Sequence, residues 1–521
     1  MSSLEHGAGA RGDRAGSLHA QAGGEIKVAA VRGAGFAFGG QWVRQGIGFG
    51  ATVVLARLLT PADFGLVAMV TALTGMLEMY KDLGLSAATI QAPHLEDSQV
   101  NDLFWINTGL TVLIVAALVA LAPVVANFYG RAELVAVTWA LAIGFLAAGL
   151  SIQHWALMRR TMRFGILAVI ETTGMVLAVS VAIGLAVAGM RYWALVGFIL
   201  TPRLVNLIGA WSCCAWRPRF SFSGEGLRPL FGFGWKLAAC NALTAFVAGM
   251  DSILIGRLAG GYPLGLYNRG LQVRAVFSGL MDIPLNSIGV STLARLQSRP
   301  ALFHDAYGRL LYLFQAALVP FWFVTLLCPE VLLRVIFGEQ WVASAPFVRI
   351  LGCLLLIQPL QTLLNTMFVA LGRSGVMLAW GVVFSVLLGI GFWAGMLAGG
   401  VKGLAIGYVA AAAVSCLIGL FFAARAGGFQ RPWPLVRPLL FPLISGLLSA
   451  MVTLWMWRVV WSLGGPFSGS ARGWCLVLTA CGVYGVIMLA DLKRRNFMGL
   501  SWRMLMARPG SRGRPEADCH D

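Results

Sequence analysis

The chain has 521 residues, of which 58% are hydrophobic and only 12% are charged, and its formal net charge is +18 at pH 7. Apolar stretches of about 18 residues or more recur along it, and each is long enough to cross a bilayer as a helix. This composition excludes a soluble fold and predicts an all-α polytopic membrane protein. Residues 1–30 are rich in Gly and have no apolar core of signal-peptide type, so we expect a disordered N-terminal tail.

The apolar stretches predict about fourteen transmembrane helices. We expect two pseudo-symmetric lobes of six helices, at 31–212 and 231–425, and a C-terminal pair at 426–491. A linker at 213–230 joins the lobes, and a tail at 492–521 ends the chain. In order, the predicted spans are 34–57, 62–82, 102–125, 134–154, 165–189, 193–211, 231–256, 264–290, 306–328, 345–370, 375–398, 403–424, 437–459 and 473–491.

A segment of the first lobe returns about 200 residues later, at 55–66 and again at 255–266. In both copies Arg-Leu ends an apolar helix, a turn containing proline follows, and Gly-Leu opens the next helix. The repeat indicates two homologous bundles, the layout of many transporters, whose binding site lies between the halves. The alternative is that the shared residues only end two unrelated hairpins.

Positive charge is divided unevenly between alternate loops. Loops on one side carry mostly single cations, such as Arg131, Arg191, Arg334 and Lys402. The positive-inside rule therefore places the other side, with both termini, in the cytoplasm. The cations occupy short loops between spans and form no compact basic domain, which excludes nucleic-acid binding. The cytoplasmic cations are Arg159, Arg160, Arg163, Arg217, Arg219, Arg228, Arg295, Arg299, Arg309, Arg373, Arg425, Arg431, Arg437, Lys493, Arg494 and Arg495.

The sequence offers no catalytic or metal-binding pattern. The longest predicted external loop, 329–345, carries Glu330 and Glu339 without a histidine partner, and it is too short for a glycan-assembling enzyme. Histidines are scattered, no Cys-x-x-Cys occurs, and no Walker motif is present. We therefore expect no metal and no cofactor, and transport that is secondary or driven by the substrate gradient.

Several predicted helices carry polar side chains at helical spacing, which would not face lipid. Amides suit a ligand with many hydroxyls, and buried arginines suit phosphate or carboxylate. The alternatives are hydrogen bonding between helices and, for Arg44 and Arg274, an internal ion pair with Glu78 or Asp282. The candidate cavity residues are Gln41, Arg44 and Gln45 in the first helix, Arg269 and Arg274 in the eighth, and Gln358, Gln361 and Asn365 in the tenth.

Four carboxylates fall inside predicted spans and are candidates for proton or ion coupling: Asp282, Glu78, Glu171 and Asp251. Asp282 ranks first because it follows Arg274 by two turns on a helix broken by Pro284. Structural roles are the alternative for two of them. Asp251 lies near Arg257, and Glu171 lies near the start of its helix, where the macrodipole stabilises an anion.

Three segments together resemble the polysaccharide transporter family: 56–66, 153–164 with its Leu-Met-Arg-Arg-Thr-Met-Arg-Phe core, and 251–269 ending in Leu-Gly-Leu-Tyr-Asn-Arg. These are the Wzx-type oligosaccharide flippases of the multidrug/oligosaccharidyl-lipid/polysaccharide exporter superfamily. The resemblance covers residues 30 to 490 and is closest to the exopolysaccharide branch, which makes colanic-acid-like and xanthan-like polymers. Family members commonly have a proline near Ser291 and Thr292, which is absent here.

The resemblance implies a bacterial inner-membrane protein with both termini in the cytoplasm. Its expected activity moves oligosaccharide repeat units on undecaprenyl pyrophosphate to the periplasmic leaflet, for exopolysaccharide or lipopolysaccharide biosynthesis, by alternating access through a cationic cavity. Membrane lipid is an expected partner, and a polysaccharide polymerase and chain-length regulator are further candidates. Two other functions stay open: a cation-coupled multidrug exporter of the same superfamily, and a membrane glycan polymerase or ligase.

Overall fold

The computed structural model describes residues 43–78, 86, 89–90, 96–219, 247, 249–426, 433–462 and 469–494. This part of the chain is helical and contains no β-strand. Its helices are α1 (43–58), α2 (Pro61–Glu78), α3 (Asp97–Tyr129), α4 (Glu133–Arg160), α5 (Phe164–Val187), α6 (Trp193–Cys213), α7 (249–258), α8 (Gly261–Leu296), α9 (Pro300–Leu327), α10 (Pro329–Ile336), a 3₁₀ helix (Glu339–Ser344), α11 (Ala345–Gly352), α12 (Leu354–Ala370), α13 (Ser374–Ala426), α14 (Trp433–Ser462) and α15 (Gly469–Arg494).

Seven of the described helices are long and apolar enough to cross a membrane, and a bent pair, Glu339–Gly352 with Leu354–Ala370, would make an eighth. Helix α13 holds two helices on either side of a break at Gly399 and Gly400, where the backbone leaves helical φ/ψ values. The predicted fold class, an all-α polytopic membrane protein, is confirmed. The number of fourteen spans stays a prediction.

The chain divides into two compact units. Unit 1 contains Met1–Val273, Leu332–Leu351 and Ser374–Ile418, and unit 2 contains Arg274–Val331, Gly352–Arg373 and Gly419–Asp521. Unit 1 thus includes the predicted first lobe together with parts of the predicted second. The boundaries of the two six-helix lobes stay a prediction.

The two copies of the repeated segment lie against each other in unit 1, at the N-terminal ends of α2 and α8. A Cβ atom at Gly65 would collide with the carbonyl group of Gly261, and a Cβ atom at Gly265 would collide with the carbonyl group of Pro61. These two contacts are equivalent, because 61 corresponds to 261 and 65 to 265. Glycine at both positions lets the helix ends touch backbone to backbone.

The two repeated arginines also have comparable places, each at the end of another helix. Arg57 donates from Nη2 to the carbonyl oxygen of Val335 over 2.6 Å, at the C-terminal end of α10. Arg257 lies over the ring of Phe128, 5.4 Å from its centroid, at the C-terminal end of α3. Cations are favourable there because the last carbonyl groups of a helix carry partial negative charge.

In unit 2 the C-terminal pair α14 and α15 packs on α9 around a buried apolar cluster that includes Val319, Phe323 and Tyr484. Beside this cluster the hydroxyl of Tyr312 donates to Asp491 over 2.6 Å. A buried carboxylate needs such a donor, because an unsatisfied one would be costly to bury.

Candidate functional site

A cavity of about 400 Å³ in unit 1 lies among α2, α4, α5 and α6. Apolar side chains form part of its wall, but charged and polar groups converge on it from four elements. Its lining consists of Glu78, Ser86, Ile90, Ala148, Ser151, Ile152, Trp155, Ala156, Arg159, Glu171, Arg203 and Asn206. We call this space the α4 cavity.

Two ion pairs bring charge to the α4 cavity. Arg203 of α6 donates from Nη2 to both carboxylate oxygens of Glu78 of α2, over 3.2 and 3.3 Å. Arg44 of α1 places Nη1 2.7 Å from Oε2 of Glu171 of α5. The four side chains are between 21% and 38% exposed, so the pairs are partly screened and are not sealed in a dry interior.

The ion pair between Arg44 and Glu78, which the sequence left open as an alternative, is not the one that forms. Arg44 pairs with Glu171, and Glu78 pairs with Arg203. The residue types were identified correctly, but the rotation of each helix about its axis decides which charges meet. Arg44 does not line the cavity itself and reaches it through Glu171.

Gln45, another candidate of the first helix, is not brought to this cavity. Gln45 is exposed, and Gln41 lies outside the described residues. A helix face defined by i, i+3 and i+4 is wide, so residues that share it can contact different neighbours. Arg44 contacts α5 through Glu171, whereas Gln45 is exposed.

Arg269 lines a second, smaller cavity of about 200 Å³ in unit 1, together with Asn268, Gln272 and Thr71. It is only 2% exposed, and Nη1 donates to Oε1 of Gln272 over 2.6 Å. Three rings surround its guanidinium group, with centroids 4.5 Å away at Phe64, 4.6 Å at Phe337 and 4.0 Å at Trp341. Cation–π contacts of this kind stabilise a desolvated charge by about 2 kcal/mol.

The remaining substrate candidates belong to unit 2. Arg274 donates from Nη1 to Oε1 of Gln358 over 3.3 Å, Gln361 is half-buried, and Asn365 is exposed. Arg274 was also considered as a partner of Asp282, whose side chain lies outside the described ones. All eight predicted substrate residues therefore stay predictions.

Among the coupling candidates, Glu78 and Glu171 line the α4 cavity, whereas Asp251 lies elsewhere. Asp251 is only 4% exposed and accepts a hydrogen bond from the hydroxyl of Tyr267 over 3.0 Å and one from the backbone N–H of Ser252. The suggested partner Arg257 contacts Phe128 instead. Within the described part of the chain, no group of three or more His, Cys, Asp or Glu is placed to hold a metal ion.

Sequence reasoning did not identify four residues of the α4 cavity: Arg203, Asn206, Trp155 and, as a cavity residue, Arg159. A signal for Arg203 was present, because a cation beside Pro202 inside an apolar span is rare and indicates a polar interior. Asn206 follows Arg203 by three residues and shares its helix face. Arg159 was assigned only to the cytoplasmic charge cluster, since it ends a helix.

Residues 54–346 match the family described as polysaccharide biosynthesis protein. The teichuronic acid biosynthesis protein TuaB of Bacillus subtilis (strain 168) is 25% identical over 356 residues, which are 67% of this chain and 73% of TuaB. The lipopolysaccharide biosynthesis protein WzxC of Escherichia coli (strain K12) is 20% identical over 382 residues, which are 72% of this chain and 77% of WzxC.

Among solved structures, the lipid II flippase MurJ in an inward closed conformation shares the fold, with a TM-score of 0.69 at 9% sequence identity. The match covers 88% of this chain and 99% of the MurJ chain. The arrangement of helices described above is therefore one that a known polytopic membrane protein also adopts.

Proposed function

Because the chain belongs to the polysaccharide biosynthesis protein family, we propose that it moves undecaprenyl-diphosphate-linked oligosaccharides across a bacterial inner membrane, from the cytoplasmic to the periplasmic leaflet. The family membership agrees with the resemblance found in the sequence. The prediction of a membrane transport protein of polysaccharide biosynthesis, and not an enzyme, is thereby confirmed. The lipid-linked substrate, the direction of movement and the cytoplasmic location of both termini belong to the proposal.

The names of the relatives support an oligosaccharide substrate. TuaB is named for the biosynthesis of teichuronic acid, and WzxC is named for the biosynthesis of lipopolysaccharide. Both are glycan polymers of the cell surface. A repeat unit built in the cytoplasm has to cross the membrane before such a polymer is exposed. A polysaccharide polymerase and a chain-length regulator are the partners that would receive it.

The observation that carries the proposal is the α4 cavity with its two ion pairs. A diphosphate and several sugars cannot enter hydrocarbon unaided, because each polar group left without a partner costs several kcal/mol there. The cavity offers carboxylates, guanidinium groups and an amide within one space of about 400 Å³. These groups replace some of the hydrogen bonds to water that the headgroup loses when it enters the membrane.

The ion pairs also suggest how the cavity responds to an anion. Arg203 and Arg44 can each exchange a carboxylate partner for a phosphate oxygen, and the planar guanidinium group binds either in the same forked geometry. The exchange would release Glu78 or Glu171, which could then take up a proton or a sodium ion. We therefore propose these two carboxylates, ahead of Asp282 and Asp251, as the coupling residues.

A multidrug exporter of the same superfamily is the remaining alternative, because carboxylates in the cavity would suit a cationic drug. The arginine opposite each carboxylate weakens that case, since a cationic drug would have to displace it. Enhanced resistance of cells to cationic dyes, without any effect on glycan export, would favour the exporter.

The test is glycan export in the host bacterium after deletion of its chromosomal copy. Wild-type protein should restore surface polymer, whereas Arg203→Ala and Arg44→Ala should not, and Arg44→Lys should restore it in part. Arg191→Ala is the matched control, because Arg191 forms an ion pair with Asp63 over 3.3 Å that does not line the cavity. Normal export by Arg203→Ala at normal protein levels would contradict the proposal.

A further inference from the structure

Three lining residues of the α4 cavity, Ser151, Trp155 and Arg159, follow one another on α4 at steps of four. Residues four apart lie above one another on the same helix face. They therefore form a row about 12 Å long that runs from the middle of α4 to its last turn. We call this row the α4 ladder.

Charge is not spread evenly along the ladder. Arg159 is exposed, and its side chain forms no ion pair and no hydrogen bond with the described part of the chain. Its neighbour Arg160 is different, because Nη1 donates to the carbonyl oxygen of Thr89 over 2.8 Å. Arg159 is thus a cation at one end of the cavity that no carboxylate of the described residues neutralises.

The deeper part of the cavity is polar but balanced in charge. Arg203 and Arg44 each face a glutamate, so the two pairs together add no formal charge. The Oδ1 atom of Asn206 is buried and has no hydrogen-bond partner among the described residues. Uncharged hydroxyl-rich groups suit such a wall better than a diphosphate does, because they both donate and accept hydrogen bonds.

Between the two regions lies Trp155, which is half-buried. Its side chain packs against an apolar cluster that includes Met158 and Ile170 and also lines the cavity. An indole ring held in this way presents apolar surface of fixed orientation, and its electron-rich face attracts the slightly positive C–H groups of a sugar ring.

We propose that the α4 ladder holds the lipid-linked headgroup in a fixed order when it first binds, before its diphosphate reaches Arg203 on the way across. In this first position the diphosphate lies at Arg159 and the first sugar lies against the ring of Trp155. The further sugars then reach the region of Ser151, Asn206 and the Arg203–Glu78 pair. The last turn of α4 lies at the end that the charge pattern places at the cytoplasmic surface, the depth at which a lipid carries its phosphates. The sugars thus enter the cavity ahead of the diphosphate. This inference rests on the proposed function and adds where the diphosphate and the sugars bind.

The test is binding to purified full-length protein in lipid nanodiscs, with two probes: undecaprenyl diphosphate and undecaprenyl-diphosphate-glucose. For wild type, the glucose should strengthen binding. Arg159→Gln should weaken binding of both probes by about tenfold or more, since a hydrogen bond between charged groups is lost. Trp155→Leu should leave the bare lipid unaffected and remove the advantage of the glucose, while Trp155→Phe, which keeps an aromatic face, should preserve it.

Arg163→Gln is the matched control for charge, because Arg163 is an exposed cation of the same turn that does not line the cavity, and it should bind both probes normally. Equal weakening of both probes by Trp155→Leu would overturn the sugar position. Normal binding of the bare lipid by Arg159→Gln would overturn the diphosphate position. A wild type that binds neither probe would instead refute the proposed function.

Discussion

Gly65 and Gly265 occupy equivalent positions in the two copies of the repeated segment, and each faces the backbone of the other copy. Gly65 abuts the carbonyl group of Gly261, and Gly265 abuts that of Pro61. The contact is therefore pseudo-symmetric: exchanging the two copies exchanges the two contacts. The two repeated segments of the sequence therefore pack against each other where the N-terminal ends of α2 and α8 meet.

We predict that Gly65→Ala and Gly265→Ala each lower the thermal stability of the purified protein. A methyl group at either site has no room except against backbone, and such overpacking costs about 1–3 kcal/mol. Gly75→Ala is the control, since Gly75 lies on the same helix as Gly65 with nothing within 4 Å of an added Cβ, and it should raise stability slightly. Melting curves in detergent would decide, and an unchanged midpoint for Gly65→Ala would rule out the close contact.

A second prediction concerns Trp341, which is fully buried. Its ring covers the guanidinium group of Arg269, and its Nε1 donates to the carbonyl oxygen of Ala56 over 2.7 Å. Trp341→Ala should lower the free energy of unfolding by about 3–5 kcal/mol. Trp341→Phe should lose less, because it keeps a ring for Arg269 but not the hydrogen bond to Ala56.

A second substitution, at Arg269, separates the cation–π contact of Trp341 from its hydrogen bond. Arg269→Met keeps the bulk of the side chain but removes its charge. In that background, the difference in free energy of unfolding between tryptophan and phenylalanine at position 341 should fall to the contribution of the hydrogen bond to Ala56. A double-mutant cycle reports this difference directly. Full additivity of the two substitutions would mean that the indole ring stabilises Arg269 no more than a phenyl ring does.

A third prediction concerns the membrane topology, which depends on the cation asymmetry. The turn at Arg159, Arg160 and Arg163 should face the cytoplasm, as should both termini. A phosphatase fused after Arg160 should therefore be inactive, and a fluorescent protein fused there should fluoresce. Periplasmic phosphatase activity at that site would reverse the assignment of every helix, and with it the direction of the α4 ladder.

A fourth prediction concerns Glu78. Removing its charge leaves Arg203 without a neutralising partner, so an anionic headgroup meets a free cation. Glu78→Gln should bind undecaprenyl diphosphate more tightly than wild type but export glycan more slowly, because release becomes slower. The double variant Glu78→Gln, Arg203→Gln should lose the extra affinity. Equal affinity of Glu78→Gln and wild type would show that Arg203 does not exchange its carboxylate for phosphate.

The sequence predicts the helices and the repeat but not the contacts between side chains of different helices. Apolar runs predict the helices because length and hydropathy are local properties, and the repeat at 55–66 and 255–266 predicts related helix ends. The partner of Arg44 could not be predicted, since it depends on how α1 and α5 are rotated against each other. Gln45 illustrates the same limit, because correct helical spacing from Arg44 did not bring it to the cavity.

Arg203 and Arg159 show a different limit. Arg203 was visible as a lone cation in an apolar span, but its role follows only from the approach of α6 to α2, where Glu78 neutralises it. Arg159 looks like any cation of the positive-inside pattern. Its spacing from Trp155 and Ser151 is visible in the sequence, but only the structure shows that their shared helix face lines a cavity.

The most direct test of the central claim is headgroup translocation in proteoliposomes that contain the purified protein and an undecaprenyl-diphosphate-linked oligosaccharide. The fraction of the lipid that reaches the opposite leaflet can be followed with an enzyme that modifies only exposed sugars. We predict rapid translocation by wild type and by Arg191→Gln, and translocation by Arg203→Gln that is no faster than in protein-free liposomes. Translocation by Arg203→Gln at the wild-type rate would contradict a transport route through the α4 cavity.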